Sequence, residues 1–217
     1  MSNLEFGKDE PKQPSPGNSR EISAPAALRN REVIADVLGG FLPEQGNVLE
    51  LASGTGEHVC LFAERFDRLT WQATDMDPSR LESIAARASK ASLPNLLPPR
   101  YLNVTETDWH AMSANVIVAI NLFHVAPKAV SGAVLSGAAQ VLGPGGVLCI
   151  YGPFTLNGVF NTDSNREFND YLREQNPEWG LRDIADIDAI AEGLDMVRTA
   201  LQDMPANNFL VVYQLPE

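Results

Sequence analysis

The sequence predicts an α/β fold: an open, mostly parallel sheet with helices on both faces. Short apolar segments alternate with segments whose apolar residues recur at helical spacing, and this alternation continues from residue 47 to residue 151. Alternation of that kind is typical of a doubly wound sheet with right-handed crossovers. The length of 217 residues fits one domain of this type.

A local signal marks each element. Pro25 begins the first helix, since proline favours the first helical turn. The strands are predicted at residues 47–51, 69–74, 100–104, 116–120 and 147–151, and the helices between them at residues 57–66, 78–89 and 128–142. Beyond Tyr151 the pattern predicts helices near 166–173 and at 183–194, and a hairpin-like pair of strands at 196–201 and 208–214.

Composition excludes several classes of function. The chain has 28 acidic and 16 basic residues and a net charge of −12, so no broad basic face is available for nucleic acid or an anionic membrane. No apolar run approaches the ~18 residues of a membrane helix, and the N-terminus lacks the apolar core of a signal peptide. Cys60 and Cys149 stand in apolar segments and are expected to be buried, reduced thiols. We therefore expect a cytoplasmic protein.

The domain organisation is simple. Residues 1–22 combine proline, glycine, serine and charges with few large apolar side chains, which predicts a flexible tail. Residues 23–217 are expected to form the single folded domain, without a metal centre.

The turn after the first strand carries the main functional signal. The strand leads into ELASGTG at residues 50–56. The third glycine of a dinucleotide fingerprint would fall at Val59, which disfavours a pyrophosphate. Glu50 would repel a phosphate but could orient a cation, and Asp75, after the second strand, suits ribose hydroxyls. A ligand with a ribose, a positive charge and no phosphate is S-adenosylmethionine.

This pattern resembles class I S-adenosylmethionine-dependent methyltransferases, and the GPGG turn at residues 143–146 is similar to a turn of that family. The resemblance implies a Rossmann-like fold with seven strands. It also implies that the cofactor contacts Glu50, Ala52, Ser53, Gly54, Gly56, Asp75, Met76, Asn103, Val104 and Asn121. Ala52 stands where the family usually has glycine. Asn103 stands where the family frequently has Asp, and its amide can still donate and accept hydrogen bonds.

A narrower resemblance covers most of the predicted domain. The segments AALRN (26–30), ASGTGEH (52–58), YGPF (151–154), SN (164–165), PEWGLRD (177–183) and MPANN (204–208) are similar to the methyltransferase-like protein 26 family, which carries domain of unknown function 938. The chain departs from that family at Asn169, where Asp is usual, and at Ala126, where Ser is usual. The resemblance implies the fold and the cofactor but no methyl acceptor.

Candidate residues for catalysis and substrate binding follow the later strands. His124 could act as a general base by its position and near-neutral pKa, or it could pack in a loop. Tyr151 is the second catalytic candidate. Substrate contacts are expected from Phe154, Asn165, Arg182, Asn207 and Asn208, in a region after the fifth strand that is predicted to close over the site. Alternatively, Arg182 pairs with Asp183, which caps the next helix.

Three further side chains have open roles at this level. Arg29 and Asn30, on the first helix, either fold over the cofactor or lie on the surface. His58 is expected to cap or pack the helix after the glycine turn.

The sequence thus favours methyl transfer from S-adenosylmethionine to a small-molecule acceptor, by a monomer or homodimer with neither nucleic acid nor membrane as partner. The alternative is a cofactor-binding protein of the same fold that acts through a partner without transferring a methyl group. A nicotinamide-dependent reductase is a third possibility, which Val59 and Glu50 disfavour.

Overall fold

The computed structural model describes residues 21–106, 109 and 112–217. Within these residues the main sheet has seven strands: β1 (Gly46–Leu51), β2 (Leu69–Asp75), β3 (Leu96–Tyr101), β4 (Ala114–Ile120), β5 (Leu142–Gly152), β9 (Val197–Met204) and β10 (Asn208–Gln214). Their order across the sheet is β3-β2-β1-β4-β5-β10-β9. The first five strands pair in parallel, whereas β10 is antiparallel to β5 and β9. The predicted seven-stranded, mostly parallel sheet is confirmed.

The α-helices of the described residues are α1 (Pro25–Leu38), α2 (Glu57–Arg65), α3 (Pro78–Ala91), α4 (Ala129–Val141), α5 (Asp163–Gln175) and α6 (Ile184–Glu192), and all but α5 contribute to the cores on the two faces of this sheet. Apolar residues of α1, α2 and α3 form one core cluster with the sheet, and those of α4 and α6 contribute to the other. Because β4 is buried on both faces, it is apolar almost throughout. None of the described helices is both long and apolar enough to cross a membrane.

Side-chain caps explain where three helices begin. The carboxylate of Asp77 accepts a hydrogen bond from the Ser79 amide at the start of α3, at 2.8 Å. The Thr162 hydroxyl caps α5 in the same way. Asp183 caps α6 by accepting from the Ala185 amide at 2.9 Å, so its predicted capping role is confirmed.

Three regions differ from the prediction. The fifth strand begins at Leu142 instead of residue 147, so that the turn expected at residues 143–146 lies within β5. The third strand occupies Leu96–Tyr101 instead of residues 100–104, and it contains Pro98 and Pro99. Proline is tolerated there because β3 lies at the edge of the sheet, where one side of the strand needs no amide donors. In addition, β6 (Phe154–Leu156), β7 (Val159–Phe160) and β8 (Arg182–Asp183) form a small separate sheet that the sequence did not predict.

A buried ion pair fastens the start of α1 to α2 and α3. Glu57 Oε1 accepts from the Ala24 amide at 2.8 Å and from the Arg87 guanidinium at 3.1 Å. Arg87 also donates to the Ile22 carbonyl at 2.8 Å, so that Ile22, inside the predicted tail, is held against α3. Residues 1–20 of that tail lie outside the described residues.

We predict that Arg87→Ala lowers the free energy of unfolding by about 3 kcal/mol, because it leaves the buried Glu57 carboxylate without its cation. Lys90→Ala is the matched control on the same helix. Lys90 is 76% exposed, and its ion pair with Glu21 is of the surface kind worth less than about 1 kcal/mol. Urea denaturation of the three proteins measures the difference, and equal losses would contradict this role of Arg87.

Candidate functional site

The candidate site lies at the carboxyl ends of β1 and β4, the point of the sheet where the strand order reverses. Two residues other than glycine have left-handed backbone there. Ala52 follows β1 with a φ of 48°, and Asn121 follows β4 with a φ of 55°. Such conformations cost on the order of 1–3 kcal/mol each and cluster at functional sites. The backbone of Ala52, which stands where the family that the sequence resembles usually has glycine, is therefore strained, because its side chain is a methyl group.

The two glycines of the turn have different structural roles. Gly54 has a φ of 57°, and a Cβ added to it would meet no atom within 4 Å. Gly56 has a φ of 88°, and an added Cβ would lie 3.1 Å from the Cα of Ile84 on α3. Gly56 thus allows α2 to pack closely on α3, whereas Gly54 leaves open space above the turn.

Asp75 ties this turn to the end of β2. Its Oδ2 accepts from the Gly54 amide at 2.9 Å, and its Oδ1 accepts from the Asp77 amide at 2.9 Å. Each carboxylate oxygen has a second lone pair, so the group can accept two more hydrogen bonds. Asp75 therefore stands at the end of β2, as predicted, oriented by two backbone amides.

Glu50 is the most unusual group of the site. Its side chain is buried, and its Oε2 has no hydrogen-bond partner among the described residues. Burial raises the pKa of Glu50 to about 8, with the negative charges of Asp75 and Glu57 adding to the rise and a hydrogen bond with Ser53 opposing it. At neutral pH the carboxyl is protonated, and a cation bound beside it would favour its ionised form.

Four polar side chains from different elements meet next to this turn. His58 Nε2 lies 2.9 Å from Asn30 Oδ1, which joins α2 to α1. Burial raises the pKa of the Tyr151 phenol at the end of β5, and the side chains of Asn30 and Asn208 oppose that rise. The sequence placed Asn30, Tyr151 and Asn208 near the site but gave His58 only a capping or packing role. Its position directly after the glycine turn was the signal that could have included it.

His124 has the contacts of a packed residue. It lies in a short 3-10 helix, Phe123–Val125, and its ring packs edge-on against Phe168 with the ring centroids 5.6 Å apart. Burial, followed by the charge of Arg182, lowers the pKa of His124 to about 4. At neutral pH the imidazole is uncharged and weakly basic, and its role as general base stays a prediction. The remaining histidine, His110, lies outside the described residues.

Two of the expected substrate contacts have structural partners instead. Phe154 is 1% exposed and packs in the core against Phe123, with no ring face open to a ligand. The guanidinium of Arg182 donates to the carbonyls of Gly180, Ala126 and Glu178, not to Asp183. As described, these two side chains support the loops around the site, and a contact with substrate would require them to move.

The other expected substrate contacts lie where α5 meets the β9–β10 turn. Asn165 Nδ2 donates to the Asn207 carbonyl at 3.0 Å and to Asn161 Oδ1 at 2.7 Å. Asn207 Nδ2 in turn donates to the Ser164 hydroxyl at 3.3 Å. These bonds hold the start of α5 against the turn, while substrate contact by Asn165 and Asn207 stays a prediction.

The remaining residues expected to contact the cofactor lie on the surface or in turns. Arg29 is exposed on α1, and Met76 is 60% exposed after β2. Asn103 and Val104 lie in the turn beyond β3 instead of within the third strand, where Asn103 Oδ1 accepts from the Thr105 amide at 3.1 Å. In the part of the chain that the structure describes, no group of three histidine, cysteine or acidic side chains is placed to hold a metal ion.

We predict that Gly56→Ala destabilises the fold more than Gly54→Ala. Both variants incur the left-handed backbone cost of roughly 1 kcal/mol, but only the first drives a methyl group into Ile84. Thermal denaturation measures the difference. A larger loss for Gly54→Ala would contradict the open space above that residue.

Several solved structures similar to this chain are described as methyltransferases. An O-methyltransferase family protein from Burkholderia thailandensis matches with a TM-score of 0.75 and 17% identity, over 88% of this chain and 58% of that one. The S-adenosylhomocysteine-bound form of CalO1, a methyltransferase of calicheamicin biosynthesis, matches with a TM-score of 0.72 and 13% identity, over 88% and 54%. The chain thus spans a little over half the length of each.

A protein from Pyrococcus horikoshii OT3 is similar over nearly its whole length, with a TM-score of 0.70 and 16% identity over 90% of this chain and 93% of that one. These likenesses show a Rossmann-like methyltransferase fold. The narrower resemblance to methyltransferase-like protein 26 stays a prediction. The family described as protein of unknown function DUF938 matches residues 21–215, and the chain belongs to that family.

Proposed function

We propose that the protein binds S-adenosylmethionine above the Ala52–Gly56 turn and transfers its methyl group to a small-molecule acceptor. The observation that carries this proposal is the buried carboxyl of Glu50 at the carboxyl end of β1, whose Oε2 has no partner among the residues that the structure describes. A buried polar atom without a partner is costly, so its presence at a switch point favours a ligand that supplies the missing donor. The ammonium of the methionine part is a donor of the right charge.

The chemistry of the surrounding groups supports the same ligand. Asp75 has lone pairs for two ribose hydroxyls, and Gly54 has room above it for a ligand to approach. The carboxylate of Asp75, so close to the turn, would repel a pyrophosphate, which speaks against a nicotinamide dinucleotide. The fold of the similar methyltransferases, one of them described with bound S-adenosylhomocysteine, adds support at the level of architecture.

In this proposal the protein contributes mainly by positioning. When bound, S-adenosylmethionine supplies an electrophilic methyl group on a positively charged sulfur. Glu50 and Asp75 hold the two ends of the ligand, and α1 limits access of water through the contacts of Asn30. A transfer driven by proximity requires the acceptor atom about 3 Å from the methyl carbon and in line with the breaking bond. It requires no strong base, which agrees with the weak basicity of His124, whose pKa burial lowers to about 4.

The size and charge of the chain support a small acceptor. The described fold is one domain with the net charge of an acidic protein, so a nucleic-acid substrate would meet repulsion. We further propose a cytoplasmic location and a monomeric or homodimeric state.

The test of the proposed function is a thermal shift with S-adenosylmethionine, S-adenosylhomocysteine and NAD. We expect both adenosyl compounds to raise the melting temperature and NAD to leave it unchanged. A ligand that binds only the native state raises the free energy of unfolding by about 2.7 kcal/mol when its concentration is a hundredfold above its Kd. A shift with NAD alone would contradict the proposal.

Asp75→Ala tests the position of the ribose within the same assay. We expect this variant to lose most of the ligand-induced shift, because hydrogen bonds to a charged group are worth about 1.5–3 kcal/mol. Asp203→Ala, on the exposed part of β9, is the control and keeps the full shift. An undiminished shift in Asp75→Ala would mean that the ribose lies elsewhere.

Proton linkage tests the role of Glu50. In the free protein the pKa of Glu50 is about 8, so the carboxyl holds a proton at pH 7. A ligand ammonium lowers this pKa, and S-adenosylhomocysteine binding at pH 7 is therefore expected to release about one proton and to tighten as pH rises from 6 to 8. Calorimetry in buffers of different ionisation enthalpy measures the release. Glu50→Gln should abolish it, and proton uptake or no exchange by the unaltered protein would contradict the assignment.

A further inference from the structure

The turn between β9 and β10 lies beside the strand ends that carry the candidate site. β10 is antiparallel to β5, with Phe209 opposite Gly152, so β10 begins where β5 ends. At that end the Tyr151 carbonyl accepts a hydrogen bond from the Asn121 amide, which follows β4, at 2.8 Å. Since neighbouring strands are about 4.8 Å apart, the start of β10 lies roughly 10 Å from the end of β4. A small molecule bound at the switch point can therefore extend to this turn.

Two consecutive residues of the turn have left-handed backbone. Ala206 has a φ of 57°, and Asn207 has a φ of 59°. Residues other than glycine rarely adopt this conformation, although asparagine does so more readily than most. Side chains of α5 and of the loop before it hold the turn in this shape. Asn165 Nδ2 donates to the Asn207 carbonyl at 3.0 Å, and Asn161 Nδ2 donates to the same carbonyl at 3.3 Å.

The side-chain nitrogens of Asn207 and Asn208 already donate to the protein. Asn208 Nδ2 donates to the carbonyls of Pro205 and Ala206, at 3.1 and 3.3 Å. Asn207 Nδ2 donates to the Ser164 hydroxyl at 3.3 Å. Because a carbonyl oxygen can only accept, its partner on Asn208 has to be the nitrogen, and this fixes the orientation of that amide.

The side-chain oxygens of the same two residues are available to a ligand. Among the described residues, none donates a hydrogen bond to Oδ1 of Asn207 or of Asn208. Asn207 is exposed and Asn208 is half-buried, so a ligand can reach both side chains. Each oxygen has two lone pairs, whereas the two amides together keep one unused N–H, on Asn207. The pair thus offers mainly hydrogen-bond acceptors.

The charge around the turn favours a cationic group over an anionic one. The start of α5 carries Asp163, Arg166 and Glu167. Asp203 is exposed on β9, just before the turn. Within this set the only cation is Arg166, which lies 3.9 Å from Asp163 Oδ1. Three acidic side chains and one basic side chain leave the neighbourhood negative, so a carboxylate ligand would meet repulsion as well as a lack of donors.

We propose that Asn207 and Asn208 form a specificity site for the methyl acceptor and bind its amino group through their side-chain oxygens. The inference rests on the proposed function, because it places the acceptor beside β5 and β10 and the cofactor above β1 and β2. An amino group, or its ammonium form, brings two or three N–H donors and can bond both oxygens, whereas a hydroxyl brings one donor. The acceptor is therefore an amine.

NMR of the side-chain amides, in the presence of excess S-adenosylhomocysteine, tests this site with three probes that share one ring: benzylamine, benzyl alcohol and benzoate. Asn207→Gly and Asn208→Ser each remove one amide signal and so assign the two signals. We expect benzylamine to shift both signals and to bind at least tenfold more tightly than the other probes, which carry one O–H or none. Tighter binding of benzyl alcohol or benzoate, or signals that no probe shifts, would overturn the proposal.

Variants at Asn207 test the role of its oxygen. Because glycine suits left-handed backbone, Asn207→Gly removes the side chain without backbone strain and should weaken benzylamine binding by roughly tenfold. Asn207→Asp keeps an oxygen, adds a negative charge and can accept from the Ser164 hydroxyl, so it should tighten that binding severalfold. Gln202→Leu removes an exposed amide of β9 and is the control, with unchanged binding. Equal benzylamine binding by the unaltered protein and both Asn207 variants would overturn the proposal.

The melting temperature with S-adenosylhomocysteine keeps the two proposals apart. A rise in melting temperature together with no preference for benzylamine would overturn the amine site alone. No rise, together with shifts of the Asn207 and Asn208 signals by benzylamine, would overturn the proposed function and, with it, the identity of the bound amine as a methyl acceptor.

Discussion

The buried carboxyl of Glu50, whose Oε2 has no hydrogen-bond partner among the described residues, is the constraint on which the candidate site depends. Strand β1 is buried at its last four positions, and its alternation places Val48 in the core beneath α1–α3 and Leu49 and Leu51 in the opposite core. Glu50 lies on the same face of β1 as Val48, where an apolar side chain could be buried without a desolvation penalty. A group in that position, kept away from water, is destabilising unless it is neutral or paired. Its position at the switch point supports the proposal that the site binds a cationic ligand.

Hydrogen bonds between backbone and side chains hold the surroundings of Glu50 in place. Asp75 binds the amides of Gly54 and Asp77, which joins the turn after β1 to the turn after β2. Glu57 and Arg87 then fasten the start of α1 to the two helices below it. Since these contacts come from the protein itself, the site has its geometry before any ligand arrives, which lowers the entropy cost of binding.

Much of the fold and the position of the glycine turn could be predicted from the sequence, because those features are local. The alternation of apolar segments located most strands of the main sheet, and the pattern after the first two strands located the turn that Asp75 joins to the end of β2. The third strand was misplaced because two prolines argue against a strand unless it is known to lie at an edge.

The other side of the site depends on contacts between distant parts of the chain. His58 and Asn30 are far apart in sequence, and the carbonyls that bind Arg182 come from Ala126, Glu178 and Gly180. No spacing pattern encodes such partners. For the same reason an aromatic residue such as Phe154 can be recognised as near the site without revealing that its ring belongs to the core.

The central claim is that the crevice beside Glu50 is a site for S-adenosylmethionine. A crystal structure of the complex with S-adenosylhomocysteine tests it most directly. The account predicts the ligand ammonium within hydrogen-bond distance of Glu50 Oε2 and both ribose hydroxyls on the carboxylate of Asp75. A ligand bound elsewhere, or bound in the crevice with Glu50 Oε2 still unpaired, would contradict it.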